Sequence, residues 1–175
     1  MRRGLLVAGL IAIFTGVTTL CALGRVWAAA APATVDYTKI SPIELVKNTP
    51  QGKLVNPYKD TQADAVADGQ KFLASYSCSG CHGGGGGGGM CPPLTNDTWV
   101  YGGDDDTLFR LVTLGSDELQ KAGYTRKGRE NVVGPMPPFG SIIKNADDLW
   151  KILAFVRSKY DGDPGYKFGT PPDQQ

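Results

Sequence analysis

Apolar positions recur with a helical period in three stretches of the chain, and nowhere do they alternate convincingly as a strand would. The clearest stretch is near the C-terminus, where Leu149, Ile152, Leu153 and Val156 form an i, i+3, i+4, i+7 face. A helix is predicted to begin at Asn145 or Ala146 and to end near Tyr160, before a Gly- and Pro-rich tail. A second helix follows Asp104-Asp105-Asp106, with Leu108, Leu111 and Val112 at helical spacing and Gly115 able to end it. Ser116 can cap a short continuation through Ala122, closed by Gly123. A third helix is predicted from about Thr61 to Tyr76, with a modest apolar stripe in Val66, Phe72 and Leu73 around Gln70. Gly69 lies inside it. A helix-interior glycine costs up to about 1 kcal/mol relative to alanine, so it points to a close helix-to-helix contact with Phe72 beside it.

Residues 31–60 are rich in Pro, Thr, Asn and Lys and show little periodicity. They are expected to form an N-terminal arm that lies on the domain surface or is partly mobile, ahead of a domain at 61–160 and a C-terminal tail at 161–175. Residues 1–30 read as a secretory signal: Arg2 and Arg3, an apolar run from Leu5 to Leu20, and Ala28-Ala29-Ala30 before Ala31. The alternative is an uncleaved membrane anchor. Cleavage would remove Arg2, Arg3 and Arg25, so that 18 basic residues fall to 15 against 17 acidic ones. A slightly acidic chain without a basic tract argues against nucleic acid as partner and against a polybasic membrane-surface patch.

The chemistry is concentrated in Cys78-Ser79-Gly80-Cys81-His82, the signature of c-type haem attachment. Two thiols add to the two haem vinyl groups, and the next residue delivers an imidazole to the iron. A structural zinc site needs four N or S ligands. Only Cys78, Cys81, His82 and Cys91 could supply them, through a very tight glycine-laden loop. A redox dithiol belongs in a βαβ context that the pattern lacks. The expected cofactor is therefore one covalent haem c, whose apolar ring also supplies the core volume that few helices and long loops leave unfilled.

His82 is the single histidine of the chain, so bis-histidine ligation is impossible. Met136 lies in Gly134-Pro135-Met136-Pro137-Pro138-Phe139-Gly140, where flanking prolines stiffen the loop that presents its sulfur. It is the expected second axial ligand. Met90 follows seven consecutive glycines, which makes holding it on the iron costly in ordering entropy. An open iron is the remaining alternative. Gly83 to Gly89 follows no strand and holds no P-loop lysine, which argues against nucleotide binding. That run reads either as a bare surface that leaves the thioether edge approachable or as a flexible spacer. Cys91 reads as an inert free thiol, with an intermolecular disulfide as the alternative. Trp99 and Tyr101 are expected in the pocket wall, with ring N–H or O–H groups able to reach a propionate. Arg126, Lys127 and Arg129 read as a solvated loop or a docking rim, and Asp104 to Asp106 as a solvated helix start.

From about Asp68 to Tyr160 the chain resembles a class I cytochrome c: attachment motif, Pro-Leu segment, Met loop and C-terminal helix. The resemblance implies an all-α single domain with long loops around one covalently bound haem. It gives Pro92 the role of accepting the imidazole N–H and Leu94 that of packing on the ring, with Cys91 standing where the pattern has glycine. A narrower likeness spans Cys78 to Phe139. The glycine run, Met90-Cys91-Pro92-Pro93-Leu94, Trp99-Val100-Tyr101-Gly102-Gly103-Asp104 and the Met136 loop resemble the methanol-metabolism-related cytochromes. These are similar to cytochrome cL, the acceptor for pyrroloquinoline-quinone (PQQ) methanol dehydrogenases, and closest to those paired with the lanthanide-dependent enzyme. It implies a periplasmic carrier that takes single electrons from a PQQ-dependent methanol or alcohol dehydrogenase. These would pass to a downstream cytochrome c or oxidase, with no stable membrane insertion after signal cleavage. The rivals are a fixed haem subunit of a membrane-bound dehydrogenase or oxidase complex, and a small haem peroxidase or gas sensor.

Overall fold

The structure, a computed structural model, describes residues 35–97, 99–128, 134–162 and 167–168. The expected signal, Arg129 and most of the tail lie outside the described residues. Within them are α1 (Pro42–Asn48), α2 (Ala63–Ser75), α3 (Ser79–His82), α4 (Asp105–Lys121) and α5 (Ala146–Ser158), and no strand. The fold is all-α, as the periodicity implies.

The last helix is the centre of the core. Asn145 caps α5 by accepting from the Asp148 N–H at 2.8 Å, and Asp147 and Asp148 load its first turn with negative charge. Leu149, Trp150, Ile152, Leu153 and Phe155 are all buried. Each such side chain contributes about 1.5–3 kcal/mol relative to exposure. Trp150 stacks tilted on Phe109 of α4 at 4.2 Å between ring centroids, and meets the edge of Tyr37 at 6.3 Å. Helix α2 lies against α5, and Gly69 is the point of closest approach. A Cβ there would fall 2.0 Å from the Lys151 carbonyl oxygen and 3.0 Å from the Phe155 Cβ. The helix gives up propensity at Gly69 so that the two backbones can touch.

The N-terminal arm is not a loose surface segment. Ser41 Oγ accepts from the Glu44 N–H at 3.2 Å and Pro42 occupies the first turn, so α1 starts with a built cap. Leu45, Val46 and Leu54 are buried in the main core. The arm also satisfies backbone groups at the start of α5: the Ala146 N–H donates to the Ile40 carbonyl at 2.8 Å and the Asp147 N–H to that of Tyr37 at 3.1 Å. At its far end, Arg110 of α4 donates to the carbonyls of Val46, Thr49 and Pro50 at 3.4, 2.7 and 3.0 Å. Periodicity failed here because α1 has only two turns and the rest of the arm binds through its backbone.

The acidic triplet also departs from expectation. Asp104 caps α4 through the Thr107 N–H at 2.8 Å. Asp105 accepts from the Asn56 N–H at 2.9 Å and pairs with the buried Arg157 guanidinium at 2.6 Å. Asp106 is buried and bound by Arg110 at 2.9 Å, by the Tyr124 hydroxyl at 2.6 Å and by the Leu54 N–H at 3.1 Å. Asp105 and Asp106 are structural ties, not solvated charges. The described piece of the tail also folds back: Lys167 pairs with Asp60, and Phe168 lies under Arg157 at 4.3 Å.

Candidate haem site

Between α2 and α3 the chain turns at Ser77, whose φ of 63° is rare for a residue with a side chain. The following α3 is a single turn. Cys78, Cys81 and His82, at i, i+3 and i+4, therefore share one face. All three line a cavity of about 350 Å³ whose wall includes Leu73, Leu94, Leu108, Val112, Ile152 and Leu153. Cys78 is buried, which pushes its thiol pKa up; burial and the neighbouring Cys81 thiol do the same to Cys91. Among the described residues, no group of three or more His, Cys, Asp or Glu is arranged to hold a metal ion.

The His82 ring is oriented from behind. Its Nδ1 lies 2.8 Å from the Pro92 carbonyl oxygen. A carbonyl only accepts, so Nδ1 is the donor in this contact and Nε2 is the ring nitrogen left to a ligand. Pro92 and Leu94 both line the cavity. The Trp99 indole N–H donates to the Leu94 carbonyl at 3.1 Å, so the donor expected to reach a propionate is already engaged. The Tyr101 hydroxyl, also in the cavity wall, accepts from Gln120 at 2.8 Å. Arg126 lies at the cavity as well, while the Lys127 N–H is held by the Val100 carbonyl at 2.7 Å.

Met136 lines the same cavity, whereas Met90 is 65% exposed and does not. The Met136 loop is held by a break in α4. Gly115 takes φ 77° and ψ 167°, which interrupts the helix and leaves the Val112 and Thr113 carbonyls without helical partners. The Phe139 and Gly140 N–H groups donate to them at 2.9 and 3.1 Å. A Cβ on Gly115 would stand 2.8 Å from the Met136 carbonyl oxygen, so the loop rests on a position that only glycine can fill. Sequence reading found Gly115 as a helix end but missed Ser116 as an anchor of this loop. The signal is a serine straight after a breaking glycine.

The glycine run is folded, not loose. Gly83, Gly86 and Gly88 have φ of 77°, 79° and 93°. Gly84, Gly85 and Gly87 would each project a Cβ into open space.

The residues fit a covalently held haem. The cavity is apolar and set with two thiols, an imidazole already held through Nδ1, and a thioether. Residues 64–156 match the family described as cytochrome C oxidase, cbb3-type, subunit III. The chain is 30% identical over 135 residues to the cbb3-type cytochrome c oxidase subunit FixP of Azorhizobium caulinodans, covering 73% of this chain and 43% of that protein. It is 29% identical over 101 residues to subunit CcoP of Rubrivivax gelatinosus, covering 57% of this chain and 27% of that protein. The chain thus spans less than half the length of these curated relatives. Two crystal structures of cytochrome cL are similar at a TM-score of 0.48. That from Methylophaga aminisulfidivorans is 22% identical, covering 74% of this chain and 82% of that one. That from Hyphomicrobium denitrificans is 26% identical, covering 75% and 70%. With more than half of its length matched, and with that donor set on one apolar cavity, this chain belongs to the cbb3-type subunit III family of c-type cytochromes, electron-transfer proteins built on covalent haem c.

Proposed function

We propose that this chain is a monohaem cytochrome c that carries single electrons in the periplasm. The observation that carries the reading is the convergence of Cys78, Cys81, His82 and Met136 on one apolar cavity. Cys78 and Cys81 would hold the haem through thioethers, and His82 and Met136 would ligate its iron. The haem supplies a one-electron ferric/ferrous couple. The chain's own residues orient the imidazole through Pro92, pack Leu94 beside it, hold the methionine loop on α4 and exclude water from the ring. With both His82 and Met136 on the iron, the site would favour electron transfer over peroxide or gas chemistry. Replacing Cys78 and Cys81 with alanine tests attachment. Haem staining after denaturing electrophoresis should be lost, and retained staining would refute it.

Two partner readings stand on different supports. The motif likeness from Cys78 to Phe139 supports a PQQ-dependent methanol or alcohol dehydrogenase as donor, with a downstream cytochrome c or oxidase as acceptor. The family match and the oxidase-subunit relatives support a haem subunit that works within a membrane oxidase complex. None of the described helices is long and apolar enough to cross a membrane. Release with periplasmic contents, and reduction of the purified ferric protein by a quinoprotein dehydrogenase with its alcohol, would support the shuttle. Salt-resistant retention in membranes, together with an oxidase, would support the subunit.

A further inference from the structure

Pro92 lies ten positions after His82, and seven of the nine residues between them are glycine. The loop they form is closed on itself by backbone hydrogen bonds. The Gly88 N–H donates to the His82 carbonyl at 2.9 Å, Cys91 to Cys81 at 3.1 Å, Leu94 to Gly86 at 2.6 Å and Gly86 to Gly83 at 3.1 Å. These bonds fix where the Pro92 carbonyl stands relative to the imidazole. Three of the glycines combine a crowded Cβ position with positive φ. A Cβ on Gly83 would meet the Gly88 carbonyl oxygen at 2.6 Å. One on Gly86 would stand 3.3 Å from the Leu94 Cβ, and one on Gly88 3.2 Å from the Pro93 Cβ. All three also take positive φ, a region costly for other residues. A flexible spacer needs no such selectivity, and Gly84, Gly85 and Gly87 show what unconstrained positions in the same run look like.

We propose that Gly83, Gly86 and Gly88 are positioning residues for the proximal imidazole. They fold the run into a buttress that presses the Pro92 carbonyl onto His82 Nδ1. This rests on the reading of His82 as haem ligand. A firm hydrogen bond to Nδ1 makes the imidazole a stronger donor and favours ferric iron. Loosening the buttress weakens that bond, so the midpoint potential rises.

The test is an alanine series in the full holoprotein: Gly83→Ala, Gly86→Ala and Gly88→Ala against Gly84→Ala and Gly85→Ala. Potentiometry and the hyperfine-shifted His82 ring resonances of the ferric protein are the readouts. The first three should shift the potential upward and move the ring resonances, and the other two should match the parent. Val46→Ala, in the arm and away from the cavity, should lower thermal stability without moving the potential, which separates orientation from general loosening. If Gly83→Ala yields no holoprotein, the milder Gly86→Ala decides. Parental potential and resonances in haem-loaded Gly86→Ala and Gly88→Ala, or equal shifts in Gly84→Ala, would overturn the buttress. Absence of covalent haem from the parent protein would instead overturn the ligand reading beneath it.

Discussion

Ser116 and Met136 are joined by a reciprocal pair of hydrogen bonds. The Ser116 N–H donates to the Met136 carbonyl at 2.9 Å, and the Met136 N–H donates to Ser116 Oγ at 3.1 Å. Residues twenty apart in the chain are thus bound as closely as a pair in a ladder. Ser116→Ala removes one bond and leaves the Met136 N–H unpaired, a cost of about 1–3 kcal/mol if that group stays dry. Gly115→Ala adds strain at positive φ and a clash with the Met136 carbonyl. Both variants should weaken the absorption band of methionine-ligated ferric haem on warming, Gly115→Ala more. Parental thermal behaviour of that band in both would show that the loop does not depend on this break.

Exchange of the ligand itself should act on potential rather than on folding. Met136→His should keep two axial side chains on the iron and lower the reduction potential, since a thioether favours ferrous iron more than an imidazole does. Met90→Leu, at an exposed site off the cavity, should change neither the spectrum nor the potential. Loss of the methionine band in Met90→Leu but not in Met136→Leu would reverse the assignment.

Acid should loosen the tie between the arm and α4. Burial alone would raise the Asp106 pKa, but Arg110, the Tyr124 hydroxyl and the N–H groups of Gly52 and Leu54 together hold it below the usual carboxylate range. A group lowered on folding stabilises above its unfolded pKa, and that stability is lost as pH falls through the folded value. Unfolding monitored from pH 6 down to about 2 should therefore show a steep loss below about pH 4 that Asp106→Asn flattens. Arg110→Met should cost about 3 kcal/mol at neutral pH, because it strands a buried carboxylate. An Asp106→Asn acid profile parallel to the parent's would exclude Asp106 as the group responsible.

Partner access to the haem edge should be blocked at the open glycines. Gly85 has nothing within 4 Å of an added Cβ, whereas Gly86 is buried against Leu94. Gly85→Trp should slow reduction by the physiological donor without altering the haem spectrum. Charge reversal at Arg126 and Lys127 should alter the rate mainly at low ionic strength, because rim charges act on association and are screened by salt. Stopped-flow rates across a salt series measure both. An unchanged rate for Gly85→Trp at full haem loading would place the entry point elsewhere.

What could be read from sequence was whatever is local. Cys78, Cys81 and His82 are close because one helical turn makes them so, and α5 announces itself by period. Gly69 was legible as a contact because a helix tolerates glycine only for a reason. The helix within the arm was missed although Ser41-Pro42-Ile43-Glu44 has the form of a capped helix start, because two turns give no period to count. The burial of Asp106 was out of reach. One partner, Arg110, stands four residues on, but the Leu54 N–H lies 52 residues away, and only the fold brings it in. The seven glycines look alike in sequence. They differ only in the neighbours each would meet.

The pairing of α2 with α5 sets an order of events. The Tyr76 hydroxyl meets Asp148 across 72 residues, and Gly69 meets the Lys151 backbone further on still. A chain that emerges N-terminus first presents its two thiols and its histidine long before the helix that covers them exists. Through that interval the wall supplied by Ile152 and Leu153 is not yet there. Ile152 and Leu153 lie far downstream of Cys78, Cys81 and His82, so the cavity is walled only once the last helix has packed against the second.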